Sequence, residues 1–356
     1  MMHARCASAT RRWTDDACVL GRRRALVLFA GAVAAACASP RAPPLDAPAR
    51  SSLKIDPIVD LVPAAGLSWL LHCRPRQLAA NPALIPAIAS VISEQRFEAF
   101  ARGHGGVDLR EVHELAIAGF PETTLALART LVSEARIEAS FAERASSVEG
   151  RVIEGDVTRF WGTVGQEREQ IAVLGREGVA LERGRLGPLR AALYFAQGKL
   201  RRALPALRAE PLSRAASLVD VGDRALLRAF APGPFEGDWA AGAGGLLRAA
   251  TAVAAAASPV EGRSEVATRS ALGVRVVITG AWGEQAAAAA ERLGAAFRVF
   301  ADDPLGRLLG LDHPLEGPTL SGESDVLRLE VTLDPVPIGR GLNAATGGSI
   351  AEILAY

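Results

Sequence analysis

The sequence has 356 residues and carries 40 basic and 39 acidic side chains, which nearly cancel. This balance provides no single-sign field of the kind that attracts a protein to nucleic acid, so we expect no nucleic-acid partner. The length suits one large domain or two ordinary ones. The four cysteines, Cys6, Cys18, Cys37 and Cys73, are too few for a disulfide scaffold.

A short apolar run lies near the N-terminus. Three arginines at 22–24 precede residues 25–36, which are apolar or small. This order of positive region, apolar region and small residues is typical of a secretory signal. The run is shorter than the roughly 20 residues that a membrane-spanning helix needs. We therefore predict a signal peptide at 1–36. Because residues 1–18 fit such a signal poorly, we expect translation to start near residues 19–20.

The four residues Ala34-Ala35-Ala36-Cys37 resemble the lipobox of bacterial lipoproteins, with Ala34 where the pattern usually has leucine. In that family the cysteine thiol takes a diacylglyceryl group, and cleavage makes the cysteine the first residue. The resemblance implies lipidation at Cys37 and a membrane anchor, in which each buried methylene contributes about 0.8 kcal/mol.

Ala38, the residue after this cysteine, is not the aspartate associated with retention in the inner membrane. We therefore expect an outer-membrane lipoprotein that faces the periplasm. The alternative is an ordinary signal peptide and a secreted or periplasmic protein. Cleavage before Cys37 would leave 34 basic and 37 acidic residues. Residues 37–55 are rich in Pro, Ala and Ser, which predicts a disordered tether.

The body alternates between strand and helix signals. Alternation of apolar and polar residues between turn residues predicts strands; these are 66–74, 112–118, 123–129, 151–154, 157–164, 168–174, 179–182, 225–231, 272–279 and 327–333. Apolar stripes, alanine-rich runs, capping residues and Pro or Gly boundaries predict helices; these are 82–102, 137–144, 188–200, 246–257, 284–301, 304–309 and a terminal helix that opens with a capping box at 349–352.

The order of these elements repeats once along the chain. Both 56–206 and 207–356 run strand, helix, strands, helix, strand, helix, and prolines between 205 and 211 mark a boundary. We predict an α+β protein of two related units, each an antiparallel sheet with helices packed on one face.

Three stretches carry a further resemblance. They are an opening strand at 68–75, a turn-rich meander at 160–184, and a closing helix and strand at 286–297 and 325–333. In this order the body is similar to uncharacterised bacterial envelope proteins built from paired α+β modules. The resemblance implies location and fold rather than chemistry.

No residue pattern identifies a reactive centre. The histidines that follow the signal have no metal-ligand spacing; they are His72, His104, His113 and His313. His72 beside Cys73 suggests a Cys–His nucleophile, but neighbours on a strand point to opposite faces. The glycine-rich run 242–245 lacks the spacing of a phosphate-binding loop. We therefore predict no catalytic, cofactor-binding or metal-ligating residue.

Two aromatic groups are candidates for a binding patch. Phe230, Phe235 and Trp239 surround a Pro-Gly-Pro loop, while Phe160 and Trp161 are neighbours that cannot both face one core. An exposed member of either group would mark a patch, whereas a buried one would seal the core or the interface between units.

These observations favour a non-catalytic, lipid-anchored envelope protein that binds an envelope protein or component in a groove between its units. One alternative is a periplasmic carrier of an apolar ligand, which requires a large apolar cavity. Another is a hydrolase, which requires convergent polar groups from His72, His113 or His313.

Overall fold

The computed structural model describes residues 53–185, 187–199, 203–220, 225–260 and 271–346. The predicted signal peptide, Cys37, most of the predicted tether and the capping box at 349–352 lie outside these residues. Within the described part of the chain, no helix combines the length and the apolar character that a membrane span requires.

The predicted strands are present, some longer than predicted, some shorter and some with the predicted bounds, and two further strands were not predicted. The strands are β1 Trp69–Cys73, β2 Glu114–Phe120, β3 Thr123–Arg129, β4 Ala145–Glu154, β5 Val157–Val164, β6 Glu167–Leu174, β7 Gly178–Gly184, β8 Leu227–Pro232, β9 Ala250–Pro259, β10 Leu272–Gly280, β11 Glu316–Glu323 and β12 Val326–Leu333.

Most helices are short. They are α1 Pro75–Ala80, α2 Ile85–Val91, α3 Glu94–Gly103, α4 Glu134–Arg144, α5 Pro188–Ala196, α6 Leu212–Val219, α7 Gly237–Ala241, α8 Ala286–Asp302, α9 Pro304–Leu308 and α10 Pro335–Thr346. The predicted helix at 82–102 is divided into α2 and α3, because Ile92 and Ser93 are extended.

All the described strands form one sheet in the order β11-β12-β10-β9-β8-β1-β2-β3-β7-β6-β5-β4, and every neighbouring pair is antiparallel. The α+β class is therefore confirmed. Strands on the two sides of the predicted 206/207 boundary join where β1 pairs with β8, with Leu70 opposite Phe230. The division into two related units stays a prediction.

Helices cover both faces of the sheet, so the predicted one-sided layering is wrong. The back face carries Leu70 and Leu127 and packs against α5, α6 and a 3₁₀ segment at Ile58–Leu61. The front face carries Leu71 and packs against α1 to α4, α8 and α10. The physical reason is that strands such as β1 carry apolar side chains on both faces, and helices on each side bury part of this surface.

The alanine-rich stretch predicted as a helix at 246–257 is mostly a strand. A 3₁₀ segment at Gly242–Ala249 leads directly into β9. β9 lies between β8 and β10, and alanine fits this position because its small side chain lets other elements approach both faces. Tertiary packing outweighs the helix propensity of alanine here.

The last residues of the predicted tether belong to the folded body. The backbone N–H of Lys54 donates to the carbonyl oxygen of Ala196 at 2.7 Å, and Ile55 is buried. The chain therefore joins the body at its back face, beside the C-terminal end of α5.

A buried carboxylate fixes the beginning of α5. Glu182, on β7, is only 1% exposed. Its Oε1 accepts hydrogen bonds from the backbone N–H groups of Gly187, at 3.0 Å, and Leu189, at 2.8 Å. A negative group at a helix N-terminus satisfies donors that have no partner inside the helix. Burial raises the pKa of Glu182, while these two hydrogen bonds oppose the rise.

We predict that Glu182→Ala lowers the free energy of unfolding by about 1–3 kcal/mol, because the buried N–H group of Leu189 and the more exposed N–H group of Gly187 lose their acceptor. Glu182→Gln keeps an acceptor oxygen and should lose less. Urea denaturation monitored by circular dichroism would measure both changes, with the exposed Glu177→Ala as control. Equal stability of Glu182→Ala and Glu177→Ala would contradict this role.

Candidate functional site

An open cavity of about 570 Å³ lies on the front face, across the junction of β1, β8 and β9. We call it the apolar groove. It separates two groups of buried side chains, one beneath α1 to α4 and the other beneath α8. The apolar groove lies between strands of the two predicted halves, where the sequence led us to expect a binding groove.

The floor of the groove is formed by small apolar side chains of adjacent strands. Ala229 and Ala231 on β8 stand opposite Ala255 and Val253 on β9, and Leu71 on β1 stands opposite Ala229. All four residues from β8 and β9 remain partly exposed. The floor is therefore an apolar surface that the fold itself leaves uncovered.

The groove is open because the helix that packs on β8, β9 and β10 lies on the other side of the sheet. That helix is α6, which buries Ala252, Ala254 and Ala256 against the back face. On the front face, α8 packs on β11 and β12 instead. Among the described residues, the part of the central strands that lines the groove therefore has a helix behind it and open space in front.

Trp69 forms one wall of the groove. Its indole lies across Gly119 on β2, where an added Cβ would come within 2.1 Å of the indole Nε1. A glycine at this position lets the ring lie over β2 and leaves the space above β8 free. Any larger side chain at 119 would displace the indole.

The Pro-Gly-Pro loop and Phe235 form another part of the groove's lining. The backbone N–H of Gly233 donates to the carbonyl oxygen of Thr251 at 2.7 Å, which ties the loop to β9. An added Cβ at Gly233 would lie 2.9 Å from the carbonyl oxygens of Ala250 and Thr251. The loop is therefore held close against the strand, and Phe235 follows directly from it.

The groove has few polar groups, and the charged group among them is negative. Among the described residues that line it, Ser68 has the hydroxyl and exposed Glu236 has the charge, while arginine and lysine are absent. The groove is thus a mainly apolar surface with a carboxylate beside Phe235.

The histidines lie outside the groove and have separate surroundings. The His104 ring stacks on Phe100 with centroids 4.0 Å apart. His113 Nε2 lies 3.4 Å from an Arg76 nitrogen, and His313 is exposed beside Asp312. The structure does not bring together the residues that the hydrolase alternative requires. In the part of the chain that the structure describes, no group of three His, Cys, Asp or Glu side chains is arranged to hold a metal.

His72 and Cys73 occupy opposite faces of β1, as the strand alternation predicts. Cys73 belongs to the front-face core, and burial raises the pKa of its thiol to about 12. His72 lies on the other face and is 6% exposed. Burial, with the positive charges of Arg228 and Arg74, lowers the pKa of His72 to about 4. At neutral pH the thiol is protonated and the imidazole is neutral, which is unlike an activated Cys–His pair.

Of the aromatic candidates, Phe235 is the one that lines the groove with its side chain partly exposed. Phe230 and Phe160 are buried in the two cores. Trp161, beside Phe160, is partly exposed on β5, and the side chain of Trp239 lies outside the described residues. The alanine floor was not recognised from the sequence. Its residues on β9 belong to an apolar run that shows no alternation of polar and apolar residues.

No protein-family model matches this chain, and no curated protein matches it significantly. A crystal structure of TP0453, in crystal form I, aligns with a TM-score of 0.42 and 9% sequence identity. The alignment covers 81% of this chain and 96% of that one. We transfer no function from this similarity.

We predict that acid destabilises the protein partly through His72. Its folded-state pKa lies below the ordinary 6.5, so the unfolded chain binds a proton more readily. The resulting stability is present above pH 6.5 and is lost as the pH falls towards 4, by up to about 3 kcal/mol. His72→Leu should therefore show a smaller loss of unfolding free energy between pH 7 and 4 than the parent. Urea titrations would measure it, with His313→Gln as control; an unchanged pH slope in His72→Leu would refute the assignment.

Proposed function

We propose that this protein is a non-catalytic, lipid-anchored envelope protein that carries an apolar ligand in the groove. The observation that carries the proposal is the cavity of about 570 Å³ with its alanine floor. Binding sites for small ligands are concave, mostly apolar and about 300–1,000 Å³ in volume. A ligand lying on this floor would remove partly exposed apolar surface from water.

The size of the groove limits the ligand. A cavity of about 570 Å³ lies within the range of about 300–1,000 Å³ that holds small ligands. This matches a single long alkyl chain rather than a whole two-chain lipid. The concave shape also favours a chain over the flatter surface of a protein partner.

The surroundings of the candidate nucleophile support a carrier rather than an enzyme. The Cys73 thiol is buried on the front face, and His72 faces the other way. Among its described lining residues, the groove offers Ser68 and Glu236 and contains no histidine or cysteine. A ligand in the groove would contact apolar side chains that retain it. The described lining residues do not include a nucleophile with a neighbouring base to activate it.

We predict that Ala255→Leu weakens the binding of an apolar probe about tenfold or more, because three added carbons would occupy the floor and exclude part of the ligand. The neutral fluorophore N-phenyl-1-naphthylamine, titrated into the full chain with Cys37→Ala, would report binding by its fluorescence. That background prevents acyl chains at this cysteine from filling the groove.

Ala295→Leu adds the same carbons to the exposed side of α8 and serves as the matched control. Circular dichroism would establish that both variants remain folded. Absence of probe binding to the parent, or equal weakening in the two variants, would contradict the proposed function.

The proposed anchor predicts a separate result. Cys37→Ala should release the protein from the outer-membrane fraction and abolish incorporation of labelled fatty acid, because the acyl chains have no other thiol in that position. Cys73→Ala is the control and should keep both properties, since Cys73 is buried. Unlabelled parent protein recovered from the soluble fraction would refute the anchor without affecting the groove.

A further inference from the structure

Glu236 has no arginine partner among the described residues, whereas several carboxylates on the strands are paired with arginine. Glu169, on β6, lies 3.1 Å from an Arg144 nitrogen and 2.8 Å from an Arg183 nitrogen. Glu330, on β12, lies 2.6 Å from the Arg275 Nε. Within the described residues, Glu236 makes no ion pair. The chain thus leaves a negative charge unmatched beside an apolar groove.

The groups near this carboxylate suit a positively charged nitrogen. Phe235 is its neighbour in sequence, and Trp69 lines the same cavity. The faces of aromatic rings attract cations, and such rings recognise quaternary ammonium groups. A carboxylate beside an aromatic ring adds a direct charge attraction. An anionic head at the same place would meet Glu236 and find no arginine or lysine among the described lining residues.

We propose that the groove selects a single-chain amphiphile with an ammonium head and discriminates against anionic chains such as free fatty acids. The alkyl chain lies over Ala229, Ala255 and Leu71, and the nitrogen lies near Phe235 and Glu236. This inference rests on the proposed function of the groove and adds the chemical class of the ligand.

Four probes with the same twelve-carbon chain separate the possibilities: dodecyltrimethylammonium, dodecylphosphocholine, dodecyl maltoside and dodecanoate. Each is titrated calorimetrically into the full chain with Cys37→Ala, below its micelle concentration and at low ionic strength. We expect dodecyltrimethylammonium to bind about fivefold or more tightly than dodecanoate, which is the upper range for one exposed charge pair. Added salt should reduce the difference.

The binding of dodecylphosphocholine distinguishes two classes of ligand that carry an ammonium head. Binding as tight as that of dodecyltrimethylammonium would assign the groove to phosphocholine-type single-chain lipids. Binding as weak as that of dodecanoate would assign it to amphiphiles with a net positive charge. Either result supports ammonium selection if the simple cation is preferred.

Glu236→Gln should reduce the preference to about twofold or less, and Glu236→Lys should reverse it. Glu291→Gln, which removes an exposed carboxylate from α8, is the matched control and should keep the preference. Equal binding of dodecanoate and dodecyltrimethylammonium to the parent, or a preference unchanged in Glu236→Gln, would overturn the selection while the groove remains a binding site. Failure of all four probes to bind would instead overturn the proposed function itself.

Discussion

Strand β9 carries small side chains on both of its faces. A helix packs on the back face, whereas part of the front face lines the apolar groove. On the back, Ala252 and Ala254 are fully buried and let α6 approach the sheet closely. On the front, the equally small side chain of Ala255 is partly exposed and lines the groove. The same choice of residue therefore produces close packing behind the sheet and a hollow in front of it. A row of large side chains on this strand would prevent the close packing behind the sheet and would fill the groove in front of it.

The hollow is confined to one end of the central strands. At the other end, α10 places Pro335 and Ile338 over Leu227, Ala257 and Leu272, and the remaining space there is about 30 Å³. That is the share of one water molecule, whereas the groove measures about 570 Å³. The front face of the sheet is therefore tightly packed where a helix covers it. The open end is a local feature with its own walls at Trp69 and Phe235, and not a general looseness of packing.

The sequence was most informative where one face of a strand is polar. The alternation at 272–279 and 327–333 predicted β10 and β12 correctly, because apolar side chains of these strands meet the core on one face. β9 was mistaken for a helix because both of its faces carry small apolar side chains, so its sequence shows no alternation of polar and apolar residues. β11 was missed because it is an exposed edge strand containing Pro and Gly. Phe235 could be recognised as a candidate from its aromatic neighbours, but the floor could not, since its exposure depends on where the described helices pack on the sheet.

The point at which the chain enters the body bears on how a carrier would work at a membrane. Lys54 and Ile55 join the back face beside α5, whereas the groove opens on the front face. If Cys37 is anchored, the fifteen residues from 38 to 52 span at most about 50 Å when extended. That reach exceeds the thickness of several packed layers of a domain, so the anchor limits the distance of the body from the membrane without fixing which face it presents. In the proposed carrier, a tether of this length would therefore permit the groove to face the bilayer and also to turn away from it.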